Sequence, residues 1–287
     1  LQYFKVTYVL IKRKLKMQTN FKLITLGLLF FTSSLQAEED EIIVLEKKIS
    51  NLSGWSESVS LSSIDSFELN KLDAQHPKQI FRRLPGIWIS RGSGQEHLTA
   101  MRSPVLTGPG ACGSFLILED GIPVRPAGFC NVNGLFETAF ENSGGIETIT
   151  GPASSRYGAN AMHGVINVIS KPLKDENNIS TNLGPNGYRN IKAKLGNRSN
   201  WSLNIFGASN DGFREFSGYD QQKLKMRSDF QMNSWTASLN MTLTNLNQET
   251  AGYITGLNSY KDSSLNRKNL NPEAFRDANS QRIYLNL

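Results

Sequence analysis

The stretch IETITGPASSRYGANAMHGVINVI, residues 146–169, decides the fold of the first half of the chain. Its two outer segments are rich in β-branched and apolar residues, which predicts two strands. Between them, Gly151 and Pro152 predict the start of a short helical turn, and Gly158 predicts a left-handed cap at its end. Gly164 predicts close packing. These roles are structural, so the stretch indicates a packed α/β unit and not a catalytic motif.

The residues before this stretch carry the signals of a helix and a hairpin. Pro77 suits the first turn of a short helix with one apolar face. Asp120-Gly121, between two apolar runs, predicts a β-hairpin, and Pro123 places its second arm at the edge of a sheet. Residues 58–174 are therefore predicted to form one α+β domain.

Beyond residue 174 the sequence alternates between apolar and polar residues along about six strands. This alternation is typical both of a soluble, half-buried sheet and of a membrane β-barrel. Strands of about ten residues, joined by alternately short and long connections, favour the barrel. In that interpretation the lipid-facing side chains include Trp201, Leu203, Ile205, Leu239, Met241 and Leu243. The inward-facing side chains include Ser202, Asn204, Asn240 and Thr242.

The charges are unevenly distributed along the chain. It has 31 Lys and Arg against 25 Asp and Glu, but the part before residue 38 holds the whole excess of +6. The remainder is formally neutral, which argues against nucleic-acid binding. Residues 17–37 have the basic start, short apolar run and cleavage site after Ala37 of a secretory signal peptide. A signal anchor is the alternative, although a spanning helix needs ~20 apolar residues. Residues 1–16 are interpreted as a non-native upstream extension.

No motif of catalysis or metal binding is visible. Residues 108–113 match G-x-G-x-x-G, but a strand follows them, so no helix N-terminus would face a phosphate. His76, His97 and His163 are the only histidines, and the sequence has neither H-E-x-x-H nor G-x-S-x-G. The sequence therefore predicts no enzyme, no cofactor and no metal site.

Three segments resemble the plug domain of TonB-dependent outer-membrane receptors. They are residues 80–87 (IFRRLPGI), Met101-Arg102 with residues 115–124 (FLILEDGIPV), and residues 146–169. The resemblance implies an N-terminal plug inside a β-barrel that imports a scarce nutrient. Family members often pair two plug arginines with barrel carboxylates. Here only Arg102 matches, so it is the expected plug–barrel contact. Ser103, Thr150 and His163 depart from the pattern, which implies that the contact is weakened or built differently.

A short apolar segment after the signal peptide resembles a Ton box, which implies a TonB-type periplasmic energy-coupling protein as partner. Such a segment suits an extended peptide that adds a strand to a partner's sheet. An ordinary buried strand is the alternative. The expected coupling residues are Glu41, Ile42, Ile43, Val44 and Leu45.

Two loops around the predicted hairpin hold the only cysteines, Cys112 and Cys130. Export into an oxidising compartment makes a disulfide the expectation, and two free thiols the alternative. The resemblance implies that these loops face the external cavity. Some residues of these loops are therefore candidate ligand contacts, and the alternative is that they are ordinary solvated loop residues. The candidate contacts are Arg91, Gln95, Arg125, Phe129, Asn131 and Asn133.

The expected organisation follows from these assignments. After the signal peptide come a Ton box and linker at 38–57 and the plug at 58–174. Residues 175–287 are expected to form the first ~6 antiparallel transmembrane strands of a truncated, and so incomplete, ~22-strand barrel. The protein is expected in the outer membrane of a Gram-negative bacterium, in contact with lipid. Its expected ligand is an iron–siderophore or another extracellular metal chelate or nutrient, such as cobalamin. A non-transporting, exported β-rich surface binding protein is the alternative, and an exported enzyme would need catalytic groups that the sequence lacks.

Overall fold

A computed structural model describes residues 60–102, 114–126, 128–232 and 234–286. The expected signal peptide and Ton box lie outside these residues, so both stay predictions. Within the described part, no helix has the length and apolar character needed to cross a membrane.

The first part is an α/β unit. Its strands are β1 (Ser60–Asp65), β2 (Ile87–Ile89), β3 (Thr99–Met101), β4 (Phe115–Glu119), β5 (Ile122–Pro123), β6 (Gly145–Thr150) and β7 (Gly164–Ile169). Five of them form one sheet in the order β1-β6-β7-β4-β5. In this sheet β4 and β7 are parallel, and the other neighbours are antiparallel. β2 and β3 pair separately. The α-helices are α1 (Ser66–Leu72), α2 (Pro77–Phe81) and α3 (Ser154–Tyr157). Short 3₁₀ helices span Gly134–Glu137, Phe140–Asn142 and Ala159–Ala161.

The core of this unit lies on both faces of its central strands. Every residue of β4, β6 and β7 is buried, including the polar residues Glu119, Glu147 and Asn167. The larger cluster, which includes Phe81, Phe115 and Phe140, covers one face, and a smaller one around Ile149 covers the other.

The stretch at 146–169 folds as its sequence predicts, with one correction. β6, α3 and β7 follow in the expected order. Gly164 has φ +150°, and a Cβ there would clash with the Ile149 carbonyl and the Met101 sulfur, so close packing is confirmed. The left-handed cap expected at Gly158 is wrong, because φ is 84° but ψ is −173°. Its N–H bonds to the Ser154 carbonyl while the chain turns directly into the next 3₁₀ helix.

The predicted helix and hairpin are also confirmed. α2 begins at Pro77, and Asp120 and Gly121 have φ of 53° and 81°, which suits a tight two-residue turn between β4 and β5. The pattern did not predict β1 or α1, which precede α2.

Residues after 174 form a six-stranded antiparallel sheet in sequence order, as predicted. The strands are β8 (Glu176–Leu183), β9 (Arg189–Asn197), β10 (Trp201–Asn210), β11 (Tyr219–Met232), β12 (Trp235–Glu249) and β13 (Phe275–Asn286). β11 and β12 are longer than expected, with 14 and 15 residues. The cause is that polar residues expected in loops continue the pairing, as in Tyr219 opposite Gln248. We call the end with the connections 211–218 and 250–274 the outer end.

The two faces of this strand sheet differ in chemistry. The face packed against the α/β unit is mostly polar and buried, and it includes Asn204, Asn240 and Thr242, which were predicted to point inward. It also holds one apolar cluster around Phe206 and Leu246, which packs against Phe136 of the α/β unit. The other face carries partly or largely exposed apolar side chains. These include Trp201, Phe230, Trp235, Leu239, Ile283 and Leu285.

Candidate functional site

A buried charge network joins the α/β unit to the middle of the strand sheet. Glu119, the last residue of β4, accepts from Arg282 Nη2 at 2.8 Å. Lys225 Nζ lies 3.4 Å from Glu119 Oε1 and 3.2 Å from Asp120 Oδ2. The Tyr284 hydroxyl donates to Asp120 Oδ2 at 2.5 Å. The β4–β5 hairpin therefore directs two adjacent carboxylates at β11 and β13.

These two carboxylates are held in their charged form. Burial alone would raise the pKa of Glu119, but the charges of Lys225 and Arg282 outweigh it and lower the pKa below its usual range. Burial also raises the pKa of Asp120. The charge of Lys225 and hydrogen bonds from Ser170 and Tyr284 outweigh burial, so the pKa of Asp120 lies below its usual range. Both groups are ionised at neutral pH.

A second buried pair lies next to this network. Lys223 Nζ is 2.7 Å from Glu141 Oε1, and both side chains are at most 2% exposed. The same ammonium group donates to the Thr138 carbonyl at 2.7 Å and lies 4.5 Å from the centre of the Phe140 ring. The 3₁₀ helix Phe140–Asn142 is thereby fixed against β11.

The loop between β2 and β3 reaches the outer end of the strand sheet. Ser93 Oγ donates to the Ala251 carbonyl at 3.0 Å, and the Gln95 backbone N–H donates to Gln248 Oε1 at 2.9 Å. Arg276 Nη2 lies 3.2 Å from a carboxylate oxygen of Glu96. This loop is thus fixed beneath the long connections.

The six candidate ligand residues have different surroundings. Gln95 and Asn131 are each only 1% exposed, so these two side chains are structural in the described arrangement. Arg125 pairs with Glu137 at 2.5 Å and lies 3.4 Å from Asn133 Oδ1, so it organises its own loop. Two candidates expose their side chains. They are Arg91 and Phe129.

Arg102 makes its described contact inside the α/β unit. Its Nη1 donates to the Thr150 carbonyl at 3.2 Å, and the residue is exposed with φ 50°. The expected contact between Arg102 and the barrel stays a prediction. Sequence reasoning missed Glu119 and Asp120 as sheet contacts, although Lys223 and Lys225 at alternating inward positions were a signal that acids would oppose them.

The cysteines are described in part. Cys130 is disulfide-bonded. Cys112 lies outside the described residues, so the pairing of Cys112 with Cys130 stays a prediction.

Two buried histidines lie next to each other behind the β2–β3 loop. The His76 and His97 ring centres are 6.0 Å apart, edge to face. Burial, with the charge of His97 as the next cause, lowers the pKa of His76 to about 3. Burial also lowers the pKa of His97 to about 4. Both rings are neutral at pH 7.

Among the described residues, no three His, Cys, Asp or Glu side chains come together as a metal site.

Comparison with known proteins identifies the first part of the chain. Residues 55–165 match the family described as TonB-dependent Receptor Plug Domain. The chain therefore contains a TonB-dependent receptor plug domain, and we call the α/β unit the plug from here on.

Solved structures extend the likeness to the strands. The closed form of the ferric-catecholate import receptor Fiu from E. coli has a TM-score of 0.56 and 18% identity, over 79% of this chain and 34% of that one. FpvA from P. aeruginosa, bound to a heterologous pyoverdine and iron, has a TM-score of 0.57 and 13% identity, over 79% of this chain and 31% of that one. The FpvAI–pyocin S2 complex has a TM-score of 0.59 and 12% identity, over 79% of this chain and 32% of that one. At these identities the likeness shows the fold, a plug followed by strands that resemble the start of a TonB-dependent barrel. The chain spans about a third of the length of these receptors.

Proposed function

We propose that this protein acts as a TonB-dependent receptor in the outer membrane, where it imports a scarce nutrient with energy supplied through a TonB-type partner. The observation that carries the proposal is the docking of the plug on the polar face of the strands. Buried pairs such as Glu119–Arg282 and Glu141–Lys223 hold it there. A plug fixed in this way closes the inner face of a barrel until energy is applied.

The outward face of the strands supports a lipid contact. On β12 the outward residues are apolar from Trp235 to Leu243 and polar from Asn245 onward. This band measures ~27 Å along the strand, or ~21 Å at a tilt of ~40°, which is close to the ~25 Å apolar band of outer-membrane barrels. The outward residues of β11 change from apolar to polar at the same level, because Leu224 lies opposite Leu243 and Gln222 opposite Asn245. A soluble sheet would not require this match.

The proposed ligand is an iron chelate of the siderophore type. Receptors of similar fold are described as a ferric-catecholate importer and as a receptor bound to iron and pyoverdine. Among the candidate contacts, Arg91 and Phe129 have the exposure that ligand binding requires. The proposed activity is transport, with no enzymatic step.

Energy coupling is tested through the expected Ton box. Pro at Ile43 removes a backbone donor and prevents strand addition to a partner. In cells that depend on the complete receptor for growth under iron chelation, we expect Ile43→Pro to abolish growth rescue, while Ser50→Pro in the linker retains it. Equal rescue by both variants would contradict the Ton-box assignment. If the wild-type receptor retains its ligand on the cell surface without uptake, the protein is a non-transporting binding protein.

A further inference from the structure

Among the described residues, six ion pairs between the plug and the strand sheet share one polarity. In each pair the acid belongs to the plug and the cation belongs to a strand. The pairs are Asp73–Lys192, Glu96–Arg276, Glu119–Lys225, Glu119–Arg282, Asp120–Lys225 and Glu141–Lys223. The docking surfaces are thus an acidic plug and a basic sheet.

The strand register shows how far this basic surface extends. Seven basic residues occupy inward positions, and we call them the basic inner face. They are Lys192, Lys194, Lys223, Lys225, Arg227, Arg276 and Arg282. Three of them occupy alternate positions of β11, a line about 14 Å long. Asp229 is an inward acid on the same strand, and it pairs with Arg227 at 2.8 Å.

Plug docking alone does not require so many buried cations. Removing a cation and a carboxylate from water costs free energy that their attraction only partly offsets, and apolar residues of similar volume often hold two surfaces together as well. Lys223 and Glu141 are almost completely buried, so they bear this cost in full. This cost points to a role of the cations beyond docking.

We infer that the basic inner face lines the path of an anionic ligand, and that the acids of the plug neutralise this face while the receptor is closed. The inference rests on the proposed function and narrows its substrate class. When the plug moves, Lys and Arg side chains face water. Ammonium and guanidinium groups bind carboxylate, phenolate and phosphate oxygens, and a surface of one sign concentrates counter-ions. The ligand is therefore a chelate or nutrient with net negative charge.

The test measures the ion selectivity of the opened pore. The complete receptor is placed in a planar lipid bilayer, the plug is unfolded with urea, and the reversal potential is read across a KCl gradient. The double variant Lys223→Gln/Glu141→Gln removes one cation of the basic inner face without leaving a buried charge unpaired in the closed state. We expect it to lower the chloride-to-potassium permeability ratio about twofold, the combined effect on the two ions of one unit charge about 8 Å away in water that contains about 0.1 M salt.

Glu141→Gln alone is the matched control. It removes a plug charge and leaves Lys223 in place, so the opened pore keeps the wild-type reversal potential. The inference is overturned if the double variant and the wild type have the same reversal potential. This measurement needs neither a ligand nor an energised membrane, so it is independent of failed energy coupling. A receptor that opens no pore at all would contradict the membrane barrel of the proposed function.

Discussion

His76 links a helix cap to the β2–β3 loop. Its Nδ1 accepts the backbone N–H of Lys78 at the start of α2, and its Nε2 lies 3.2 Å from the Glu96 carbonyl oxygen. A carbonyl only accepts hydrogen bonds, so the neutral ring carries its proton on Nε2. Protonation of Nδ1 would therefore remove the cap of α2.

The lowered pKa values of His76 and His97 determine whether a fall in pH stabilises or destabilises the plug. The pKa of His76 is about 3 and that of His97 about 4, whereas an unfolded histidine has its pKa at 6.5. Below pH 6.5 the unfolded plug binds more protons than the folded plug, so stability is greatest above this pH and falls toward the folded pKa values. Each histidine contributes about 1.4 kcal/mol per pH unit in this window.

We predict that His76→Asn weakens this pH dependence. Asn can still cap α2 through its side-chain oxygen, but it does not titrate. The measurement is amide hydrogen exchange of α2 at about pH 7.5 and about pH 5.5, corrected for the intrinsic exchange rate. Between these two pH values, the variant should lose about half as much protection, in free energy, as the wild type loses. His163→Asn is the control. An unchanged pH response of His76→Asn would show that the cap does not couple to the titration.

At the scale of secondary structure, local chemistry predicted most elements but not their docking. The Pro77 helix start, the Asp120-Gly121 turn and the six alternating strands follow from rules that act within a few residues. The contacts of Gln95 and Glu119 do not, because their partners, Gln248 and Arg282, lie more than a hundred residues away. An alternating strand predicts which side chains point inward without specifying which plug side chains they meet.

The apolar band on the outward face of β12 offers a test of the proposed lipid contact on a single strand. Met241 lies in the apolar part of its outward face, and Asn247 lies on the same face above it, opposite Asp220 and Asp277. We predict that Met241→Arg destabilises the barrel by ~2 to 4 kcal/mol, because mid-membrane lipid cannot solvate the charge. Asn247→Arg should be tolerated, since it meets water and two carboxylates.

The measurement is the fraction of complete receptor that keeps the heat-modifiable mobility of a folded barrel. Equal fractions for the two variants would indicate a sheet with water on its outward face. An inward control such as Asn204→Arg is unsuitable, because Asn204 lies between Lys194 and Lys225 and the new charge would be repelled.

At the scale of the whole molecule, the plug is held against the strands by buried charges, and each of these charges needs a partner of opposite sign. Glu119 is a central acceptor, because it receives Arg282 Nη2 and Thr242 Oγ1 at 2.8 Å and lies within 3.4 Å of Lys225. These three partners belong to β13, β12 and β11. A single plug carboxylate therefore links three strands of the sheet to one hairpin.

We predict that Glu119→Gln releases the plug under milder conditions than the wild type requires. The amide keeps the shape of the side chain but leaves the buried charge of Arg282 without its carboxylate, and breaking a buried pair costs ~3 to 5 kcal/mol. In outer-membrane vesicles that contain the complete receptor, the plug of this variant should become sensitive to protease at a lower urea concentration. Glu137→Gln is the matched control, because that carboxylate pairs with Arg125 inside the plug. If both variants lost protection at the same urea concentration as the wild type, the two Glu119 pairs would not hold the plug. Docking would then have to rest on the remaining pairs, Asp73–Lys192, Glu96–Arg276, Asp120–Lys225 and Glu141–Lys223.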